Sequence, residues 1–239
     1  MAAYVLVHGG GHGGWCYQRV ARLLRAAGHE VYTPTLTGLG ERSHLAGPDV
    51  DLDLQITDVV NVLHYEGLSD VILVGHSYGG MVITGAADRA AARVGKLVYL
   101  DAANPANGQS LVDVAPMMEA TRAVGRVVDG VELVLWPGTD PMSGYYGVTD
   151  PDDMAWMEDK LTPHPWKCFE QRLRLTNENA LWAIPAYHIV CAATLATRDP
   201  ELMDKARAEG RLWIIDTGHD LMISEPQQVA EALCEVAVR

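Results

Sequence analysis

The stretch Val71-Ile72-Leu73-Val74-Gly75-His76-Ser77-Tyr78-Gly79-Gly80 constrains this chain more than any other. Its first four residues are apolar and mostly β-branched, as in a buried strand. Gly75-His76-Ser77-Tyr78-Gly79 then reads G-x-S-x-G, and Met81-Val82-Ile83-Thr84 opens an apolar helix. Alone, G-x-S-x-G is a weak signal; between a strand and a helix it is specific. The turn forces the serine into a strained backbone conformation. Glycine two positions to either side lets strand and helix pass without a Cβ clash. Ser77 Oγ is therefore expected to stand exposed at the carboxyl end of a sheet, above the positive end of the following helix.

The 239 residues fit one large α/β domain, and 49% of them are apolar, enough for a sizeable core. The formal charge of -13 argues against nucleic acid and against an anionic membrane surface as partners. No apolar run reaches the length of a transmembrane span. The amino terminus carries no basic segment and runs directly into a strand, unlike a signal peptide. Cys16, Cys168, Cys191 and Cys234 are widely spaced and read as free thiols, so a cytoplasmic location is expected.

Tyr4-Val5-Leu6-Val7 is a short buried strand running into His8-Gly9-Gly10-Gly11-His12-Gly13-Gly14-Trp15. Such a glycine-rich loop after a strand means that backbone must approach something closely. Beside an exposed serine it reads as an oxyanion loop, in which a backbone N–H near Gly10 or Gly11 joins that of Tyr78. A dinucleotide loop fits poorly, because no well-formed G-x-G-x-x-G with a following acidic residue is present. His8 and His12 lack a third ligand at metal spacing and read as hydrogen-bonding residues that shape the loop, so no metal is expected.

A helix is expected over 18–27, closed by Gly28, then a strand near 29–34, a loop to about Asp53, and a helix over 54–64 broken by Gly67. Further strands are expected at Lys96-Leu97-Val98-Tyr99-Leu100-Asp101, at Ala186-Tyr187-His188-Ile189-Val190-Cys191 and at Arg211-Leu212-Trp213-Ile214-Ile215-Asp216, with a last helix over 227–237. Alternating strands and helices mean right-handed crossovers and a mainly parallel sheet covered on both faces. Ligands of such sheets bind outside the carboxyl ends of the strands, where Ser77 lies. Residues 104–185 break the alternation. They are rich in proline and aromatics, among them Trp136, Pro137, Pro141, Tyr145, Tyr146, Trp156, Trp166, Phe169 and Trp182. They read as a cap over an α/β core made of 1–103 and 186–239, enclosing an apolar pocket.

Asp216-Thr217-Gly218-His219-Asp220 follows the last strand. A histidine there is the base expected for a serine nucleophile in the chain order serine, acid, histidine. His29, His44, His64, His76, His164 and His188 read as surface or packing positions.

From end to end the chain resembles the α/β-hydrolase superfamily. More narrowly it resembles the small esterases and hydroxynitrile lyases, a group that includes plant methyl-salicylate esterases and bacterial esterases of the pyrethroid-hydrolase kind. The resemblance rests on Val7-His8-Gly9-Gly10-Gly11-His12-Gly13-Gly14-Trp15, Ala27-Gly28-His29-Glu30-Val31, Gly75-His76-Ser77-Tyr78-Gly79-Gly80 and Gly218-His219-Asp220. It implies Ser77 as nucleophile, His219 as base, and the N–H groups of Gly10 and Tyr78 as oxyanion donors. It also implies a small-molecule ester as substrate, no cofactor, and a possible homodimer.

Two positions depart from that pattern. A lysine follows the histidine in the lyases; here Asp220 stands there, which argues against cyanohydrin cleavage. The acid of the group lies about three residues past the Ile-Val-Cys strand, where this chain has Thr194. Three possibilities stand: Asp101 at the end of the preceding strand, as in some dehalogenases; Asp199, a few residues late; or no acid. With an acid, the expectation is an esterase of apolar or aromatic carboxylic esters working through an acyl-enzyme. Without one, it is a biosynthetic cyclase, lyase or cofactor-free isomerase with His219 as base, or a non-catalytic ligand-binding module.

Overall fold

The computed structural model describes residues 1–134 and 146–239. Six parallel strands make the central sheet: β1 (Ala3–Val7), β2 (Glu30–Tyr32), β3 (Val71–His76), β4 (Val94–Leu100), β8 (Ala186–Cys191) and β9 (Leu212–Ile215), in the order β2-β1-β3-β4-β8-β9. Between β4 and β8 a small antiparallel sheet is formed by β5 (Arg126–Val128), β6 (Val131–Val134) and β7 (His164–Pro165). Trp136, Pro137, Pro141 and Tyr145 lie outside the described residues.

The inner strands β1, β3 and β4 are apolar on both faces, and successive side chains enter different cores. Val5, Val7, Leu73, Leu97 and Tyr99 pack on one side with α2 (Leu52–Tyr65) and α3 (Gly79–Arg89). Tyr4, Leu6, Val74, Val98 and Leu100 pack on the other with α1 (Gln18–Ala26) and the last helix, Pro226–Ala237. Period-two alternation feeding two helix layers is what a doubly covered parallel sheet requires. Burying one such Val, Leu or Ile contributes about 1.5–3 kcal/mol relative to leaving it exposed.

α2 begins two residues before the helix expected at 54–64, because the Asp51 side chain accepts the Leu54 N–H and caps it. The described parts of the segment between β4 and β8 pack into both cores. Its Leu111, Trp166, Phe169 and Leu173 join the α2/α3 core, and its Tyr146, Val148 and Met157 join the other. Among the described residues no helix is long and apolar enough to cross a membrane.

Candidate active site

β3 ends at His76, α3 starts at Gly79, and the turn between them puts Ser77 at φ +53°. A serine at positive φ is strained and is held there only by its surroundings. The glycines do what their spacing predicts. A Cβ on Gly75 would lie 2.6 Å from the Gly79 carbonyl oxygen and one on Gly79 2.7 Å from that of Val7; the next residue, Gly80, is tighter still, 2.0 Å from that of Ala103. The Ser77 carbonyl accepts the N–H groups of Gly80 (3.1 Å) and Ala103 (3.0 Å), which ties the turn to the end of β4. The Tyr78 hydroxyl donates to Gln55 Oε1 at 2.7 Å, anchoring the residue after the serine in the core.

Asp101 follows β4 directly, also at positive φ (+44°). Its Oδ2 lies 2.5 Å from Nδ1 of His219, in the loop after β9. Its Oδ1 accepts Thr194 Oγ1 at 2.6 Å and the Cys191 N–H at 3.2 Å, with Arg198 Nη2 at 2.6 Å. Burial by itself would raise the Asp101 carboxyl. The hydrogen bond and charge of His219, together with Arg198 and Thr194, outweigh it and hold the group well below the usual carboxylate range. An ionised carboxylate on Nδ1 makes that nitrogen the protonated one and turns Nε2 toward chemistry.

Asp199 lies elsewhere. It is exposed, and its Oδ1 caps the helix Pro200–Ala208 by accepting the N–H groups of Glu201 and Leu202. Thr194 occupies the place expected for the acid, and its hydroxyl bonds to Asp101. Neither Thr194 nor Arg198 carried a sequence signal as an Asp101 partner.

The glycine-rich loop is fixed one carbonyl at a time. His8 Nδ1 lies 2.8 Å from the Gly9 oxygen, His12 Nδ1 lies 2.8 Å from the Gly10 oxygen, and the Thr162 N–H donates to the Gly11 oxygen at 2.9 Å. Both histidines thus shape the loop, as their sequence context suggests. Because the Leu36 N–H donates to His8 Nε2 (3.0 Å), His8 carries its proton on Nδ1; burial pushes its pKa down to about 3, so it is neutral. Gly10 lines the cavity beside Ser77. Gly11, the other expected oxyanion residue, does not: its N–H donates to His164 Nδ1 at 3.3 Å, so that end of the loop faces β7.

Ser77, Tyr78, Gly10, Asp101 and His219 line one cavity of about 240 Å³. Its opposite wall comes from the segment after β4, chiefly Leu111, Val114, Met117, Met118, Tyr146 and Phe169. His76, His219 and Asp220 also converge, with ligand atoms within 4.8 Å of one another. These groups are engaged with each other and their neighbours: His76 Nε2 with the His219 carbonyl (2.9 Å), His219 Nδ1 with Asp101, and Asp220 Oδ2 with His12 Nε2 (2.9 Å).

A strained serine on a strand-to-helix turn, a carboxylate-backed histidine and a glycine loop at the carboxyl end of a parallel sheet are the parts of one well-known fold. Residues 4–232 match the profile of the alpha/beta hydrolase family. The chain belongs to that family. Over 98% of its length it is similar to the carbendazim hydrolyzing esterase of Nocardioides sp. (strain SG-4G), at 36% identity and over 98% of that protein. It is 28% identical to esterase PIR7B of Oryza sativa subsp. japonica, over 98% of this chain and 95% of the other. Among solved structures it resembles an extracellular alpha/beta-hydrolase from a Paenibacillus species, with a TM-score of 0.79, 23% identity and 98% coverage of both chains.

Proposed function

We propose that this alpha/beta hydrolase cleaves small to medium apolar or aromatic carboxylic esters through an acyl-enzyme on Ser77. The observation that carries the reading is the Asp101–His219 contact, made beside Ser77 in a single cavity. Its esterase relatives support the same reaction class. Ser77 Oγ attacks the ester carbonyl as its proton passes to His219 Nε2, with Asp101 holding Nδ1–H. The developing oxyanion is received by the N–H groups of Gly10 and Tyr78. The alcohol leaves with the proton from His219. Water, deprotonated by the same nitrogen, then releases the acid.

In this reading residues 104–185 act as a cap whose methionines and aromatics keep water out and take the apolar part of the substrate. A cavity of roughly 150 Å³ holds benzene, so about 240 Å³ accommodates an aryl ring with its ester group. Asp101 gives the histidine its acid, which favours the hydrolase over a biosynthetic or merely binding role. The acidic charge supports a small molecule rather than nucleic acid as partner. The free cysteines, with Cys16, Cys168 and Cys191 buried, support a reducing compartment such as the cytoplasm.

The test combines a fluorophosphonate, read by intact mass, with a panel of aryl esters. We expect one phosphonyl adduct, on Ser77, and a burst of alcohol release. A protein that stays unlabelled and turns over none of the esters is not a serine esterase.

A further inference from the structure

Asp220 has no part in the mechanism above, although it follows His219 directly and is fully buried. Its Oδ2 lies 2.9 Å from His12 Nε2, and the other ring nitrogen of His12 lies 2.8 Å from the Gly10 carbonyl oxygen. A carbonyl oxygen only accepts, so His12 Nδ1 carries a proton. Nε2 faces the Asp220 carboxylate. Its Oδ1 is 3.6 Å from His76 Nε2, which itself donates to the His219 carbonyl. The 2.9 Å contact between His12 Nε2 and Asp220 Oδ2 holds one proton, and a carboxyl is ordinarily the stronger acid of the two, so the proton rests on Nε2 and the carboxylate is ionised.

We propose that His12 is an imidazolium paired with the Asp220 carboxylate, and that Asp220 is the positioning residue that holds the Gly10 oxyanion donor in place. The inference rests on the esterase reading for its catalytic consequence, but not for the charge state of the pair.

The groups around the pair fit this assignment. His76, His8 and His164 are buried, and burial pushes all three toward the neutral form, His8 and His76 to about 3. None of them supplies the cation that a buried carboxylate needs. His219, the other neighbouring base, is oriented to Asp101. The indole of Trp15 stacks on His12, with centroids 5.4 Å apart and planes 23° from parallel, a face that favours a cation. Burial would raise the Asp220 carboxyl, yet the charge and hydrogen bond of His12 bring it below its ordinary value.

The consequence lies in the loop. His8 fixes the peptide plane on the amino side of Gly10 through the Gly9 oxygen, and His12 fixes the plane on its carboxyl side. Asp220 fixes His12 and belongs to the same turn as His219. One pair therefore ties the oxyanion loop to the catalytic base, so that donor and base keep a common register.

Two measurements test this. In ¹⁵N-histidine-labelled protein at about pH 8, above the ordinary histidine range near 6.5, long-range ¹H–¹⁵N correlation should show one ring with both nitrogens protonated. That signal should be absent in His12→Gln and changed in Asp220→Asn. If no wild-type ring is doubly protonated, the charge assignment is overturned, whatever the enzyme hydrolyses. In steady-state hydrolysis of p-nitrophenyl acetate, Asp220→Asn should lower kcat about tenfold with KM little changed, less than the 10²–10³ typical of deleting an oxyanion donor outright. An unchanged kcat in folded Asp220→Asn overturns the positioning role.

Discussion

Thr194 Oγ1 donates a 2.6 Å hydrogen bond to Asp101 Oδ1, across the 93 residues that separate them in the chain. β4 and β8 are neighbours in the sheet, so the ends of the two strands face each other. The carboxylate comes from one strand end and the hydroxyl that orients it from the other. The Asp101 carboxylate that meets His219 is thus braced from the neighbouring strand end.

Asp101→Asn should reduce kcat by about 10⁴, the cost of leaving the histidine in the wrong tautomer. Asp199→Asn should leave kcat within about twofold, since Asn also caps helices well. Parallel kinetics on one aryl ester decide the matter. A larger loss in the Asp199 variant would contradict the assignment of the acid.

Ser77→Ala should lower kcat by roughly 10⁴–10⁶ and abolish the phosphonyl adduct, because it removes the proposed nucleophile. Circular dichroism should be unchanged. Retention of full esterase turnover would place the reaction elsewhere.

Two glycines separate crowding from conformation. Gly80→Ala should cost about 3 kcal/mol or more, as its Cβ would meet the Ala103 carbonyl at 2.0 Å, backbone that cannot rotate away. Gly67 has φ +65° and nothing within 4 Å of the added carbon, so Gly67→Ala should cost only about 1 kcal/mol, the penalty of a left-handed alanine. Urea denaturation of both variants measures the contrast, and equal losses would refute it.

Acid should weaken the fold well before the carboxylates protonate. Burial pushes His8 and His76 down to about 3 and His188 to about 4. Folded values below the ordinary one near 6.5 mean that the unfolded chain takes up protons that the native state refuses. Stability should therefore fall as pH drops below about 6.5, by about 1.4 kcal/mol per pH unit for each such histidine. Asp101 and Asp220 are held below their ordinary range, so their stabilisation is complete above about 4 and is lost only below it. Urea midpoints at pH 7, 6 and 5, followed by tryptophan fluorescence, should decline steadily. A flat series would mean that these histidines charge without unfolding the protein.

What the sequence determined by itself is local. The elbow, the glycine loop and the loop histidine announce themselves because each requirement is met within a few residues: a strained Ser77 needs glycine two positions away, and a strand-end turn needs its own short loop. Strand and helix alternation likewise implied the parallel sheet, with the ends of several elements displaced, as at α2, which the Asp51 cap starts early. What only the tertiary structure decided is which distant groups meet. Asp101 and Asp199 are both plausible acids on paper, yet the Asp199 carboxylate is spent on its own helix while Asp101 lies 2.5 Å from His219. Gly11 turns its N–H toward His164 because a strand far along the chain reaches it, and Asp220 meets His12 across 208 residues. Hydrogen bonds act over about 3 Å in space, and separation along the chain does not fix that distance; the order of strands in the sheet does.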